Sequence, residues 1–166
     1  MSDARLPDGR GVCFRRLVPT DYRGIVAYFE QIRADPASAG FRPHPFDGDA
    51  AQTVTAGSGQ DMYAVGLADG EFVAYGMLRG WDAGYEVPSL GIYVSSIARG
   101  TLVSRRFMDY LHGLAAARGA TTVRLTVDDC NRRAIGLYRQ LGYSFTPHTE
   151  IGRWVGTVKI QTGAAT

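Results

Sequence analysis

The sequence predicts a single α/β (α+β) domain, and three observations carry that reading. A chain of 166 residues with 45% apolar content can build one real core. Residues 90–145 read strand, tight turn, long helix, strand, short helix, strand. Upstream of them, two apolar runs meet at Ala68-Asp69-Gly70, a hairpin signal. No repeat, low-complexity block or second domain interrupts the pattern.

Residues 1–10 are polar, carry Pro7 and Gly9, and are expected to fray, with 1–9 flexible. Residues 11–18 form the first strand. Thr20 or Asp21 then caps a helix with Ile25, Val26, Phe29 and Ile32 on one face. Residues 34–60 are rich in Gly, Pro, Ala and Asp and too long for a plain connector. Within them Asp47 caps a short helix through Val54, and the remainder reads as a loop over the site. Proline fixes the backbone on both sides of His44, in Pro43-His44-Pro45. A histidine presented so rigidly is a candidate base or substrate contact, set against an ordinary surface-loop histidine.

Residues 61–67 and 71–78 are the hairpin strands. Residues 79–89 follow, turned by two glycines, and gather Arg79, Trp81, Asp82, Tyr85 and Glu86 just before the strand at 90–94. A helix comes next, with Val103, Phe107, Leu111, Leu114 and Ala115 at a 3.6-residue period, stopped by Gly119. Val123, Leu125 and Val127 alternate as a strand. The helix at 131–141 turns Ala134, Leu137, Tyr138 and Leu141 inward, and Gly142 ends it before a strand at 143–145. Residues 152–161 alternate as the last strand, and 162–166 form a small polar tail.

Composition removes several function classes. Net charge is +2 and scattered, which speaks against nucleic acid and membrane partners. Of the 18 basic residues only Lys159 is lysine, a bias expected of a GC-rich genome. Cys13 and Cys130 have no partner spacing, so neither a metal site nor a disulfide framework is expected. With no long apolar run and a polar start, the default is a soluble cytoplasmic protein.

One turn carries chemistry. A turn that feeds a helix directly from a strand leaves backbone N–H groups unpaired at the helix start, and with the helix dipole these attract phosphate. Residues 99–104 form such a turn, with Arg99 adding charge, so a nucleotide-type anion is expected there.

The pattern Arg99-Gly100 before a helix, followed by Asn131-x-x-Ala134-x-x-Leu137-Tyr138-x-x-x-Gly142-Tyr143, resembles the acetyl-CoA-binding core of the GCN5-related N-acetyltransferases. The resemblance implies a mixed, mostly antiparallel sheet flanked by helices, acetyl-CoA as co-substrate and no metal. It places the cofactor on Ile92, Tyr93 and Val94 for the pantetheine arm and acyl oxygen, and on Arg99, Gly100, Thr101, Leu102, Val103 and Ser104 for the pyrophosphate. Asn131 contacts the pantetheine or simply caps its helix. Tyr138 sits where the family's general acid often sits, and a phenol of pKa about 10 suits protonation of a thiolate. Leu102 and Ser104 occupy the two positions at which the family turn is usually small, which implies weakened cofactor affinity.

The acceptor side is expected at His44, Arg79, Trp81, Asp82 and Tyr85. Glu86 is the candidate base with Asp82 and His44 in reserve, because a carboxylate among Trp81, Tyr85 and Val87 would have a raised pKa. The expected activity is direct acetyl transfer to a small amine such as an amino sugar, an amino acid derivative or a natural-product amine. The alternatives are a non-catalytic acyl-CoA-binding or regulatory domain, or an acetyltransferase of protein N-termini or lysines. Homodimers are frequent in such a family.

Overall fold

The computed structural model describes residues 4–162. Its elements are β1 (Cys13–Arg16), α1 (Tyr22–Ala34), α2 (Gly48–Ala56), β2 (Met62–Ala68), β3 (Glu71–Arg79), β4 (Ser89–Val94), α3 (Val103–Ala117), β5 (Thr122–Asp128), α4 (Arg132–Gln140), β6 (Ser144–Pro147) and β7 (Arg153–Lys159). The seven strands form one sheet in the order β1-β2-β3-β4-β5-β7-β6. Every pairing is antiparallel except β4 with β5. This is the mixed, mostly antiparallel single domain that the sequence predicts.

The hairpin between β2 and β3 turns at Asp69 and Gly70, whose φ values of 48° and 79° are both positive. That pair matches the twist of the flanking strands. On one face of the sheet, α3 buries Val103, Phe107, Met108, Leu111 and Ala115. Met108 joins the expected stripe, and Leu114 lies at its half-buried border. On the other face, α1 and α2 cover Val65, Tyr75, Met77 and Tyr93 with Ile25, Phe29, Ile32 and Val54.

Two boundaries differ from expectation. Residues 4–9 are not frayed: Ala4 and Leu6 are 0% and 3% exposed, and Val12 N donates to Ala4 O at 2.9 Å. Leu6 and Ala4 supply enough apolar surface to hold the strand-like start in the core. The expectations for residues 1–3 and 163–166 lie outside the described residues. Asp21 does not cap α1 through its side chain; its carboxylate instead binds the Arg15 guanidinium at 2.7 and 2.9 Å and accepts from Val18 N. Asp47 does cap α2, accepting from Ala50 N at 2.8 Å.

Candidate active site

The site begins where the sheet comes apart. β4 and β5 share one register pair, Ser89 with Arg124, braced by Arg124 N donating to Pro88 O at 3.0 Å. Beyond it the strands diverge, and the β5-facing edge of residues 91–94 has no strand partner among the described residues. Backbone groups left unpaired this way are ready donors and acceptors for a ligand.

One cleft of about 800 Å³ runs from this opening to the start of α3. It is bordered by Ile92, Tyr93, Val94, Arg99, Gly100, Thr101, Leu102, Ser104, Asn131 and Tyr138. Val103 is the exception among the expected cofactor residues, since its side chain is fully buried in the core. The residue before α3, Leu102, makes no side-chain cap. Thr101 Oγ1 takes Val103 N at 3.2 Å, leaving the N–H groups of the next residues directed into the cleft mouth.

Leu102 fits this turn without strain. Its φ of −73° is open to any residue, and its side chain is 51% exposed. The conformation that needs glycine lies two residues earlier, at Gly100 with φ 78°. A methyl group on Gly100 would also come within 3.0 Å of Arg133 Nη2. Arg133 and Arg105 both border the cleft and bring positive charge to the helix start. The sequence reading missed both, although Arg133 stands in the unspecified gap of the Asn131 motif.

Arg99 is not a free charge. Its guanidinium pairs with the Asp35 carboxylate, its Nε donates to Val94 O at 3.1 Å, and it lies 5.7 Å from the Tyr93 ring centre. Tyr93 donates to the same carboxylate at 2.6 Å. That phenol and then Arg99 hold the Asp35 carboxyl below its ordinary value, while burial and the neighbouring carboxylate push Tyr93 up to about 12. Arg99 therefore shapes the turn, and Asp35, hidden in the irregular stretch, is the partner that makes it do so.

Tyr138 is 8% exposed and borders the cleft, with no hydrogen-bond partner for its hydroxyl among the described residues. Burial pushes its pKa up to about 12, so it holds its proton at neutral pH. Asn131 Oδ1 accepts from Ala134 N at 3.2 Å and caps α4.

A second cleft, of about 1380 Å³, opens on the α1/α2 side. Its floor is a set of aligned side chains: Arg79, Ser89 and Arg124 in one row across β3, β4 and β5, then Met77, Gly91, Thr126 and Asp128. Residues 39–41, Leu90, Gly91, Thr126 and Asp128 border both clefts, so the two meet where β4 leaves β5. Asp128 is the one titratable side chain in that shared set.

The expected acceptor residues separate here. Arg79, Asp82, Tyr85 and Glu86 border the second cleft; His44 and Trp81 do not. His44 is neither a free base nor a surface-loop histidine. Its Nδ1 lies 2.6 Å from Pro45 O and its Nε2 2.8 Å from Tyr75 Oη, and its ring packs on Phe29 and Phe46. Burial holds its pKa below the ordinary histidine value.

Trp81 turns into the α3-side core with the Arg118 guanidinium 4.5 Å from its ring centre. The apolar enclosure expected around Glu86 is therefore missing: Glu86 is exposed, as is Tyr85 at 68%. The Asp82 carboxylate accepts from Gln60 N at 2.7 Å and Asp61 N at 3.2 Å, which holds its pKa below the ordinary range. It ties two loops together and is a weak base.

Comparison with known proteins gives this geometry its family. The model of the acetyltransferase (GNAT) family matches residues 26–143. No curated protein sequence matches the chain. Among solved structures, the GNAT domain of PAT from S. lividans superposes with a TM-score of 0.79 at 17% identity, covering 96% of both chains. The phosphinothricin acetyltransferase from Sinorhizobium meliloti, solved in complex with AcCoA, gives 0.71 at 21% identity over 93% of this chain and 91% of that one. The ribosomal-protein-alanine N-acetyltransferase from Brucella melitensis gives 0.69 at 17% identity, covering 89% and 99%.

The chain thus belongs to the GNAT acetyltransferases, enzymes that transfer an acetyl group from acetyl-CoA. The start of α3, the cradle at Gly100 and the open β4 edge fit that co-substrate.

No helix among the described residues is long and apolar enough to cross a membrane.

Proposed function

We propose that the chain acetylates a small amine directly, within a ternary complex of enzyme, acetyl-CoA and acceptor. The observation that carries this reading is the meeting of the two clefts at the parting of β4 and β5. A thioester in one cleft and an amine in the other would face each other there. Such positioning removes much of the entropic barrier to transfer.

Each residue has a task. The N–H groups at the start of α3, with Arg105 and Arg133 beside them, hold the pyrophosphate. The free β4 edge binds the pantetheine arm and stabilises charge on the acyl oxygen as the amine nitrogen attacks the carbonyl carbon. The carbon–sulfur bond breaks, and Tyr138 gives its proton to the departing thiolate. The proton lost by the amine passes to a carboxylate of the second cleft, with Glu86 on the rim acting through water and Asp128 at the junction. Residues 39–43 wall one side of that cleft, held by Arg79 donating to Pro43 O, and a space walled in this way suits a small molecule better than a peptide.

Calorimetric titration with acetyl-CoA, followed by a panel of small amines with thiol-release detection, tests the reading. Micromolar binding and transfer to small amines are expected. Absence of binding at millimolar acetyl-CoA would overturn it, and a preference for peptide N-termini over every free amine would overturn the acceptor class. Cys130 is exposed and borders the cofactor cleft, so Cys130→Ala must retain turnover if transfer is direct. Glu86→Gln should flatten the acidic limb of the pH–rate profile, where a carboxylate base gains its proton and stops working; an unaltered profile transfers that role to Asp128.

A further inference from the structure

The floor of the second cleft is electrically lopsided, and this asymmetry describes the acceptor. Arg79, Ser89 and Arg124 are register neighbours on three adjacent strands, and their side chains share one face. At a strand spacing of about 4.8 Å, the two arginine Cα atoms lie roughly 10 Å apart with Ser89 between them. Both arginines are half-buried. Neither has a carboxylate within ion-pair distance among the described residues.

Among the described residues, Arg124 is held only by Ser89 Oγ at 3.3 Å. Arg79 donates to Pro43 O, and its buried Nε has no hydrogen-bond partner. The arginines nearby are answered differently: Arg99 by Asp35, and Arg153 by Asp128 at 3.3 Å and Glu150 at 3.5 Å. Desolvating a guanidinium without a counter-charge is costly, so two side by side on a cleft floor mark the seat of an anion. At the other end of the same floor, Asp128 and Glu150 share the single guanidinium of Arg153. That end carries an excess of negative charge, at the junction where the reacting amine would lie.

We propose that the acceptor is an amino-acid-like zwitterion, its carboxylate seated on Arg79 and Arg124 and its amine directed toward Asp128. Arg124 and Asp128 are four residues apart on β5, about 13 Å between Cα atoms. The long Arg124 side chain reaching into that span leaves room for a small molecule rather than a polymer. The inference rests on the acetyl-transfer reading given above and narrows its acceptor.

The test compares standard amino acids with their carboxamides, which keep the amine and the size and remove the negative charge. Acetyl-CoA binding is measured separately by calorimetry. The wild-type chain is expected to favour the carboxylate member of a productive pair by at least about tenfold in kcat/KM, through KM. Arg124→Gln should bring that ratio toward one and Arg124→Lys should restore part of it. Arg79→Gln gives a second measurement should the first variant fold poorly.

Transfer to amines with equal use of acid and amide, or a preference that survives both glutamine variants, overturns the inference and leaves acetyl transfer intact. Failure to bind acetyl-CoA overturns acetyl transfer and this inference with it.

Discussion

Replacing Tyr138 with Phe separates chemistry from folding, because the structure predicts a large effect on the first and little on the second. The change removes one hydroxyl oxygen and leaves the ring in place against Tyr143, 5.7 Å between centres. A positioned general acid contributes about 10²–10⁴-fold to rate. At 1.36 kcal/mol per decade, that is roughly 3–5 kcal/mol of transition-state stabilisation lost. The folded state loses no hydrogen bond, since the hydroxyl has none to lose among the described residues.

The hydroxyl stands at the cleft wall, where water can reach it, so its loss should change stability by less than about 1 kcal/mol. For a chain of this size the midpoint should stay within about 4 °C of wild type. Thiol release measures kcat, calorimetry measures the acetyl-CoA dissociation constant, and circular dichroism measures melting. The expected result is a kcat at least about a hundredfold lower, an unchanged dissociation constant and a midpoint within about 4 °C of wild type. A kcat within about threefold of wild type refutes the acid role. A midpoint lower by more than about 4 °C refutes the unbonded hydroxyl.

Asp35→Asn leaves Arg99 without its counter-charge and weakens the Tyr93 contact. A loss of about 2 kcal/mol, or roughly 4–8 °C in melting midpoint, is expected; an unchanged midpoint would show that the pair is not structural. Alkaline stability follows from the buried phenols. Burial raises Tyr138 and Tyr93 to about 12, and Tyr28, Tyr75 and Tyr143 are also shifted upward. A raised folded-state pKa gives stability that is complete below the unfolded value of about 10. Denaturant midpoints should therefore hold steady to pH 10 and fall as pH rises through 12. A decline that begins at pH 8 would contradict this.

The elements β2 to β7 and α1 to α4 were placed within a few residues, β2 to β5, α1 and α3 by the apolar faces they bury and α2, α4 and β6 by caps and glycine punctuation. The turn at residues 99–104 was legible for a related reason: a strand feeding a helix has fixed geometry, and the Asn131 motif spaces its residues along one helix. The acceptor side was not. His44 and Trp81 were read from residue type, yet a histidine between prolines and a tryptophan after a glycine can point either way. Their direction was decided by contacts with Tyr75 and Arg118, 31 and 37 positions away in the chain. Arg124 drew no notice on a strand read for its valines and leucine. It gains meaning only from Arg79 and Ser89, which the register sets beside it. Asp35 was similarly lost in a stretch without periodicity, although it fixes Arg99 and Tyr93.

The lone rung between Ser89 and Arg124 has a mechanical consequence. The sheet is two leaves, one of four strands and one of three, stitched at a single point along their shared seam. Whatever lies along the open part of the seam is flanked by both leaves and becomes a structural member for as long as it stays. Each turnover then removes and replaces a piece of the framework. Amide exchange along β4 and β5 should slow when the seam is filled and quicken when product leaves, so that the rhythm of catalysis can be read in the sheet itself.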